Sequence, residues 1–235
     1  MHVVEPSVKL INDIDESAIS TLYLAAKRCT SELDGSELLD SVILSPGSLY
    51  EYKKLIKKCY EAGHESILEH VSVTFHVTCS RACSLQLVRH RLASYAQQSQ
   101  RYVKYEDIDY INKFFNSKNA VYLSNTVRQA EDYYKCLIEL GIEPEEARYV
   151  LPECTATHLV VTINLRELIH FLQLRLCNKA QDEIRFIANE MKRLVCEETD
   201  LDFLFKDINP VCFKQNKCTQ LKPCKEQPWR NKDGN

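Results

Sequence analysis

From Val71 to Thr78 apolar and polar residues alternate without a break: Val71, Val73, Phe75 and Val77 against Ser72, Thr74, His76 and Thr78. Successive side chains of a strand point to opposite faces, so this pattern specifies a half-buried strand with one apolar side. Residues 157–164 (THLVVTIN) read as a second strand, and 8–11 as a short first one. Any fold for this chain must give those strands partners and cover one face.

Helical spacing supplies the cover. It predicts helices over 16–29, from Ser48 as a capping residue to about Gly63, and over 80–92. Residues 121–140 read as a long helix ended by Gly141. Pro144 suits a helix's first turn and Glu145 and Glu146 its positive end, so a short helix carries Arg148 and ends near Pro152. Helices are also expected over 165–177 and 181–198, with a loop and a short helical piece over 35–47 and irregular chain over 107–116. From Lys206 onward the apolar pattern stops, and seven Lys/Arg stand against three Asp/Glu with three prolines. The expected division is therefore one domain over 1–205 and a loosely held tail over 206–235.

Only five glycines occur, and Gly35, Gly47, Gly63, Gly141 and Gly234 nowhere cluster. The dinucleotide fingerprint and the P-loop are both excluded, so phosphates bound here must be held mainly by arginines. A net charge of −3 argues against a nucleic-acid surface. The start, MHVVEPSVKL, has no signal-peptide pattern, and no apolar run approaches a membrane span, so a cytoplasmic location is expected. Eleven cysteines without a C-x-x-C read as reduced, mostly buried thiols. Cys212, Cys218 and Cys224 are six apart, wider than the usual zinc pairs, and no metal site is expected there. His64 and His70 are also six apart, and His70 and His76 lie about 20 Å apart if extended, too far to share an ion.

The segment QLVRHRLASYAQQSQRY, residues 86–102, carries Arg89, His90, Arg91 and Arg101 with no acidic residue. Among them stand Gln86, Gln97, Gln98, Ser99 and Gln100, so guanidinium forks, hydroxyls and amides share one stretch. That combination suits a phosphorylated, hydrogen-bonding ligand. In NLRELIHFLQLR, residues 164–175, helical geometry puts Arg166, His170 and Gln173 on one stripe and Leu168, Leu172 and Arg175 on another. An arginine on an apolar stripe must find an acceptor or snorkel past the helix end.

Arg89-His90-Arg91, seven residues, Ser99, then Arg101-Tyr102 resembles the signature of the flavin-dependent thymidylate synthases, and EEARYVLP (145–152) and NLRELIHFLQLR match the same family. One departure is Ala96, where some members carry Asn. The resemblance covers roughly residues 15–200. It implies an α+β fold, a central mostly antiparallel sheet flanked by helices, assembled as a homotetramer with shared active sites. It also implies reductive methylation of dUMP to dTMP, with methylenetetrahydrofolate giving the carbon and FAD, reduced by NADPH, the hydride.

Carried over residue by residue, Ser66, Arg89, His90, Arg91, Gln97, Asn164, Arg166 and His170 are expected on the flavin side; His170 stands where other members often have Asn. Gln86, Gln97, Gln98, Ser99, Gln100, Arg101, Arg148 and Arg175 are expected around the nucleotide. C5 of uracil is a poor nucleophile, and a guanidinium stabilising charge on the ring would favour its attack. Arg175 is the candidate. Ser99 is assigned to binding, because no His–Asp pair adjoins it. The rival readings are a non-catalytic nucleotide- or RNA-binding module using the same basic loop, and a flavoprotein of another specificity.

Overall fold

Thr74 and Thr162 face each other across neighbouring strands with 3.0 Å between their hydroxyl oxygens. Behind them, on the other face, Val73 pairs with Ile163, Phe75 with Val161 and Val77 with Leu159, all essentially buried. The alternation in the sequence thus becomes a two-faced sheet. The computed structural model describes residues 2–43, 47–113, 117–218 and 220–224, without the side chains of 43 and 117–120.

In chain order the elements are β1 (His2–Val3), β2 (Ser7–Leu10), α1 (Glu16–Arg28), α2 (Gly35–Ile43) and α3 (Leu49–Glu61). A 3-10 turn (Glu65–His70) leads into β3 (Ser72–Ser80), α4 (Arg81–Leu87), β4 (Ala93–Gln97), β5 (Asp109–Tyr110) and α5 (Ser117–Glu139). Then come α6 (Pro144–Ala147), a 3-10 turn (Arg148–Val150), β6 (Ala156–Asn164), α7 (Leu165–Arg175), α8 (Asp182–Glu198), α9 (Asp202–Phe205) and α10 (Val211–Gln215). Strands β2, β3, β6 and β4 lie in that order in an antiparallel sheet, and β1 pairs with β5 in a small parallel one. This is the α+β arrangement expected: an antiparallel sheet flanked by helices.

The main core gathers the apolar face of β3 and β6 with Ile19 and Leu22 of α1, Ile56 of α3, Leu168 and Leu172 of α7, and Ile187 and Val195 of α8. Each such side chain, fully buried, contributes roughly 1.5–3 kcal/mol. A smaller core of Ile108, Tyr110, Val127, Tyr134 and Ala147 sits under α5. At the end of β3, the carboxylate of Glu183 on α8 accepts from the backbone N–H and the hydroxyl of Ser80, at 2.7 and 2.6 Å. Ser80 in turn caps α4 through the Cys83 N–H. One buried acid therefore ties sheet, α4 and α8 together.

Three expectations change. The helix expected over 80–92 stops at Leu87, and Ala93–Gln97 forms the edge strand β4 rather than loop. Its apolar content is low, so the strand is made by pairing with β6 and not by its own alternation. A short strand also interrupts the irregular 107–116 stretch, whose residues 114–116 lie outside the described residues, as do 44–46 of the 35–47 stretch. Packing continues past Lys206: Ile208 is buried in the main core, and its carbonyl accepts from Lys192 Nζ at 2.7 Å. Residues 219 and 225–235 of the expected tail lie outside the described residues.

Candidate active site

The sequence places Arg89, His90 and Arg91 consecutively, and the structure sends them in different directions. Arg89 and Arg91 are exposed, with no charge or hydrogen-bond partner among the described residues. His90 turns inward and is 5% exposed. The turn that does this is pinned by Tyr95 of β4, whose hydroxyl lies 2.9 Å from the Leu87 carbonyl and 2.8 Å from that of His90. Burial pushes the Tyr95 hydroxyl up to about 12, so it remains a donor.

Inside, His90 links two charged groups of α7. Arg175 Nε donates to His90 Nε2 at 3.1 Å, which makes Nε2 the unprotonated nitrogen. The ring proton therefore sits on Nδ1, 3.2 Å from Oε1 of the buried Glu167. The ring also stands edge-on to Phe171, centroids 4.9 Å apart. Burial, then the neighbouring Arg175 and His170, hold the His90 pKa down to about 4, so the ring is neutral at ordinary pH. Burial raises the Glu167 carboxyl and lowers the Arg175 guanidinium, each disfavouring the charged form. Arg175 also donates through Nη2 to the Gln86 carbonyl at 3.3 Å. Leaving the apolar stripe of α7, where Leu168 and Leu172 are fully buried, Arg175 has thus found acceptors inside the fold instead of snorkelling out.

His90, Glu167 and His170 present atoms within 4.8 Å of one another, a spacing a metal could span. Both ring nitrogens of His90 are already engaged, one accepting and one donating, so no lone pair remains for an ion. The cluster holds Arg175 in place.

Beside this cluster, α7 lines an open cleft with Glu65, Glu69, Leu92, Asn164, Arg166, Glu167 and His170, so Glu167 and His170 border both. Asn164 caps α7, accepting from the Glu167 N–H at 2.9 Å. Arg166 is bound to Glu69 and lies 3.6 Å from Glu65. Ser66 is exposed on the 3-10 turn between those two acids.

The remaining expected residues divide. Arg101 pairs with Glu145 at 2.8 Å, and Arg148 Nε donates to the Glu145 carbonyl at 3.1 Å, so both arginines converge on one residue. Ser99 Oγ accepts from the Arg101 N–H at 3.2 Å and shapes that turn. Gln100 is buried, and its amide nitrogen has no acceptor among the described residues. Gln98 holds the turn to β6 through its backbone N–H. Gln97 faces inward, donating to Ser84 Oγ and Thr157 Oγ1, both at 3.1 Å. The Gln86 amide meets the side chain of Gln181 at the start of α8. No hydrogen bond or ion pair among the described residues joins the Arg101–Arg148 group to Arg175 or to the cleft.

Sequence reading missed Glu167, Glu65 and Glu69. Glu167, three residues after the capping Asn164 and buried at 7% exposure, was the legible one, since an acid there suits a helix's first turn. The acids of the 3-10 turn gave no pattern.

Residues 9–199 match the sequence profile of the thymidylate synthase complementing protein. The chain is similar to a flavin-dependent thymidylate synthase of Geobacter sulfurreducens, 40% identical over 200 residues covering 83% of each chain. It is also similar to one of Nitratidesulfovibrio vulgaris, 35% identical over 232 residues covering 94% of each. A solved UMP/dUMP methylase, PolB of Streptomyces cacaoi bound with 5-Br dUMP, superposes with a TM-score of 0.72 over 86% of this chain and 95% of that one. At 23% identity that likeness shows the fold alone. From the extent of the profile match and the identity of its relatives, this chain belongs to the thymidylate synthase complementing protein family and is an enzyme of the flavin-dependent thymidylate synthase kind.

Proposed function

We propose that this enzyme converts dUMP to dTMP by reductive methylation, with methylenetetrahydrofolate as carbon donor and FAD, reduced by NADPH, as hydride source. The observation that carries the reading is the division made by α7. One side presents Asn164, Arg166 and His170 to an open cleft, and the other buries Arg175 against His90 and Gln86.

The residues present fit a flavin. The cleft offers amide, guanidinium and imidazole donors beside apolar Leu92 and Ile169, which suits a flat ring with polar edges. Next to Leu92 in sequence, Arg89 and Arg91 are exposed without acceptors, which suits phosphates. When bound, FAD supplies the hydride that turns a transferred methylene into a methyl group. Ser66 and His170 would hold the ring's edge.

For the nucleotide, Arg101 and Arg148 would hold the phosphate, taking it in place of the Glu145 contacts. Ser99, Gln98 and Gln100 would complete that shell, Gln100 offering its unpartnered amide. Arg175 would stabilise the negative charge that grows on the pyrimidine as C5 attacks. His90, neutral and anchored on Glu167, orients that guanidinium without adding a second charge. Because no hydrogen bond or ion pair among the described residues joins the Arg101–Arg148 group to α7, the reading completes the site between subunits, in a homotetramer. Among the described residues no helix is long and apolar enough to cross a membrane, and a cytoplasmic location is part of the proposal.

The test is the visible spectrum of the purified protein, alone and with dUMP. An oxidised-flavin band, present as purified or on FAD titration and perturbed by dUMP, is the expected result. A colourless protein that takes up no FAD overturns the cofactor assignment. A flavin band indifferent to dUMP favours a flavoprotein of another specificity.

A further inference from the structure

The stripe of α7 formed by Arg166, His170 and Gln173 leads out of the cleft. All three line the cleft, and Gln173 also lines a second cavity of about 370 Å³. That volume lies in the range of small-molecule pockets. From Arg166 to Gln173 is about 10 Å along the helix axis. The facing chain is continuous as well. Lys57, Tyr60 and Glu61 at the end of α3 line the cavity, and the 3-10 turn that follows brings Glu65 and Glu69 to the cleft. Cleft and cavity therefore lie end to end along the same pieces of chain.

The rest of the cavity wall comes from Phe203 and Leu204 of α9, from Ile208, and from Phe213 and Lys214 of α10. All of these lie beyond residue 199, where the profile match ends. Tyr60, Phe203 and Phe213 supply aromatic surface, and Phe213 is exposed and outside the main core. Lys214 Nζ lies 5.7 Å from the centroid of the Tyr60 ring and has no carboxylate partner among the described residues. Lys57 lies 3.6 Å from Asp207, and both side chains are exposed, so an incoming anion displaces that contact at small cost. Against the cavity's acids, Glu61 and Asp207, α3 adds Lys54 and Lys58, neither paired with an acid among the described residues.

A ligand suited to this place enters from the cleft, lays an aromatic ring between aromatic walls and ends in carboxylates. We propose that the cavity between α3, α7 and α10 holds the aminobenzoyl-glutamate end of methylenetetrahydrofolate, while the pterin ring lies in the cleft. This rests on the dUMP-methylating reading given above. Tyr60, Phe203 and Phe213 pack on the benzoyl ring. Gln173 offers its amide at the passage, and Lys57 and Lys214 take the glutamate carboxylates. Lys54 and Lys58 stand ready for further glutamates. The C-terminal segment, which adds nothing to the main core after Ile208, thereby acquires a binding role.

Isothermal titration of the full chain, with FAD and dUMP present, reads the cavity without turnover when the probes are p-aminobenzoyl-glutamate and its triglutamate form. The triglutamate should bind about two- to fivefold tighter, and the difference should shrink at high salt. Lys57→Gln and Lys214→Gln should each weaken its binding about two- to fivefold. Phe213→Ala should weaken both probes about three- to tenfold. The KM for methylenetetrahydrofolate should rise by similar factors, while the affinity for dUMP and the KM for NADPH hold. Lys9→Gln, on β2 and outside the cavity, should change none of these. The three variants lie at exposed positions outside the main core, and an unchanged melting temperature reports that they fold. No binding of either probe, equal affinities for the two at low salt, or unchanged values in all three variants overturns the proposal. So does a rise in the KM for NADPH alone, which would give the cavity to the nicotinamide cofactor. Probe binding that the variants weaken, in a chain that does not turn over methylenetetrahydrofolate, defeats the methylation reading and keeps the cavity assignment. Turnover that the variants leave untouched does the reverse.

Discussion

Arg175 shows how one side chain's environment is built by residues far from it in sequence. Its guanidinium is half-buried, and it is aimed by a histidine 85 positions away. If it stabilises charge that appears only as C5 attacks, its loss is felt in the transition state more than in binding. Arg175→Ala should lower kcat by roughly 10²–10³ at saturating dUMP while NADPH oxidation survives, and Lys should rescue poorly because it lacks the planar fork. Single-turnover oxidation of the reduced enzyme by dUMP and methylenetetrahydrofolate measures this, and an unchanged rate would reduce Arg175 to a binding residue. Ser99→Ala should instead weaken dUMP binding by about 1–2 kcal/mol and leave turnover measurable, which isothermal titration and steady-state kinetics separate. His90 adds a pH dependence. With its folded pKa near 4, against 6.5 for the ordinary group, the unfolded chain binds more protons between those values. Its contribution to stability is complete above pH 6.5 and is lost as pH falls toward 4. Glu167, raised by burial, works with the opposite sign, its contribution fading as pH rises through its own range. Thermal melts from pH 4 to 7 should therefore be flatter for His90→Gln than for wild type, and parallel curves would refute the assignment.

Among the elements, α7 is both wall and platform. Leu165, Leu168, Ile169, Phe171 and Leu172 fix it on the core, which leaves its polar residues at the edges of that face. Its start is set by Asn164, whose side chain satisfies the Glu167 N–H and so places the acid that anchors His90. Asn164→Ala should cost about 1 kcal/mol, a typical N-cap loss. The melting temperature should drop by about 2–4 °C for a chain of this length. Flavin affinity should fall as well, because Asn164 also lines the cleft; a shifted melting point with unchanged affinity would confine its role to the cap.

At the scale of the molecule, the boundary of the packed part lies past Lys206. Ile208 fills the main core beside Phe205, and Lys192 reaches its carbonyl. Truncation after Asn209 should leave the melting of the core nearly unchanged. Truncation after Lys206 removes Ile208 and should cost about 1.5–3 kcal/mol, the burial of one large aliphatic side chain. Differential scanning calorimetry of the two truncations decides this, and equal melting temperatures would show that Ile208 adds nothing.

The sequence by itself determined the two long strands, the helices that follow them and the apolar stripe of α7, because each is written in local periodicity. It also carried the Arg89–Tyr102 and Asn164–Arg175 segments on which the family resemblance rests. It could not show that Ala93–Gln97 is a strand, since that edge exists only through pairing with β6. Nor could it show which of three consecutive basic residues turns inward. His90 is selected by the Tyr95 clamp and by a buried Glu167 77 positions away. Local pattern sets each element's period and its buried face, whereas contacts between distant residues are set by how those faces close on one another, and only the tertiary structure decides that.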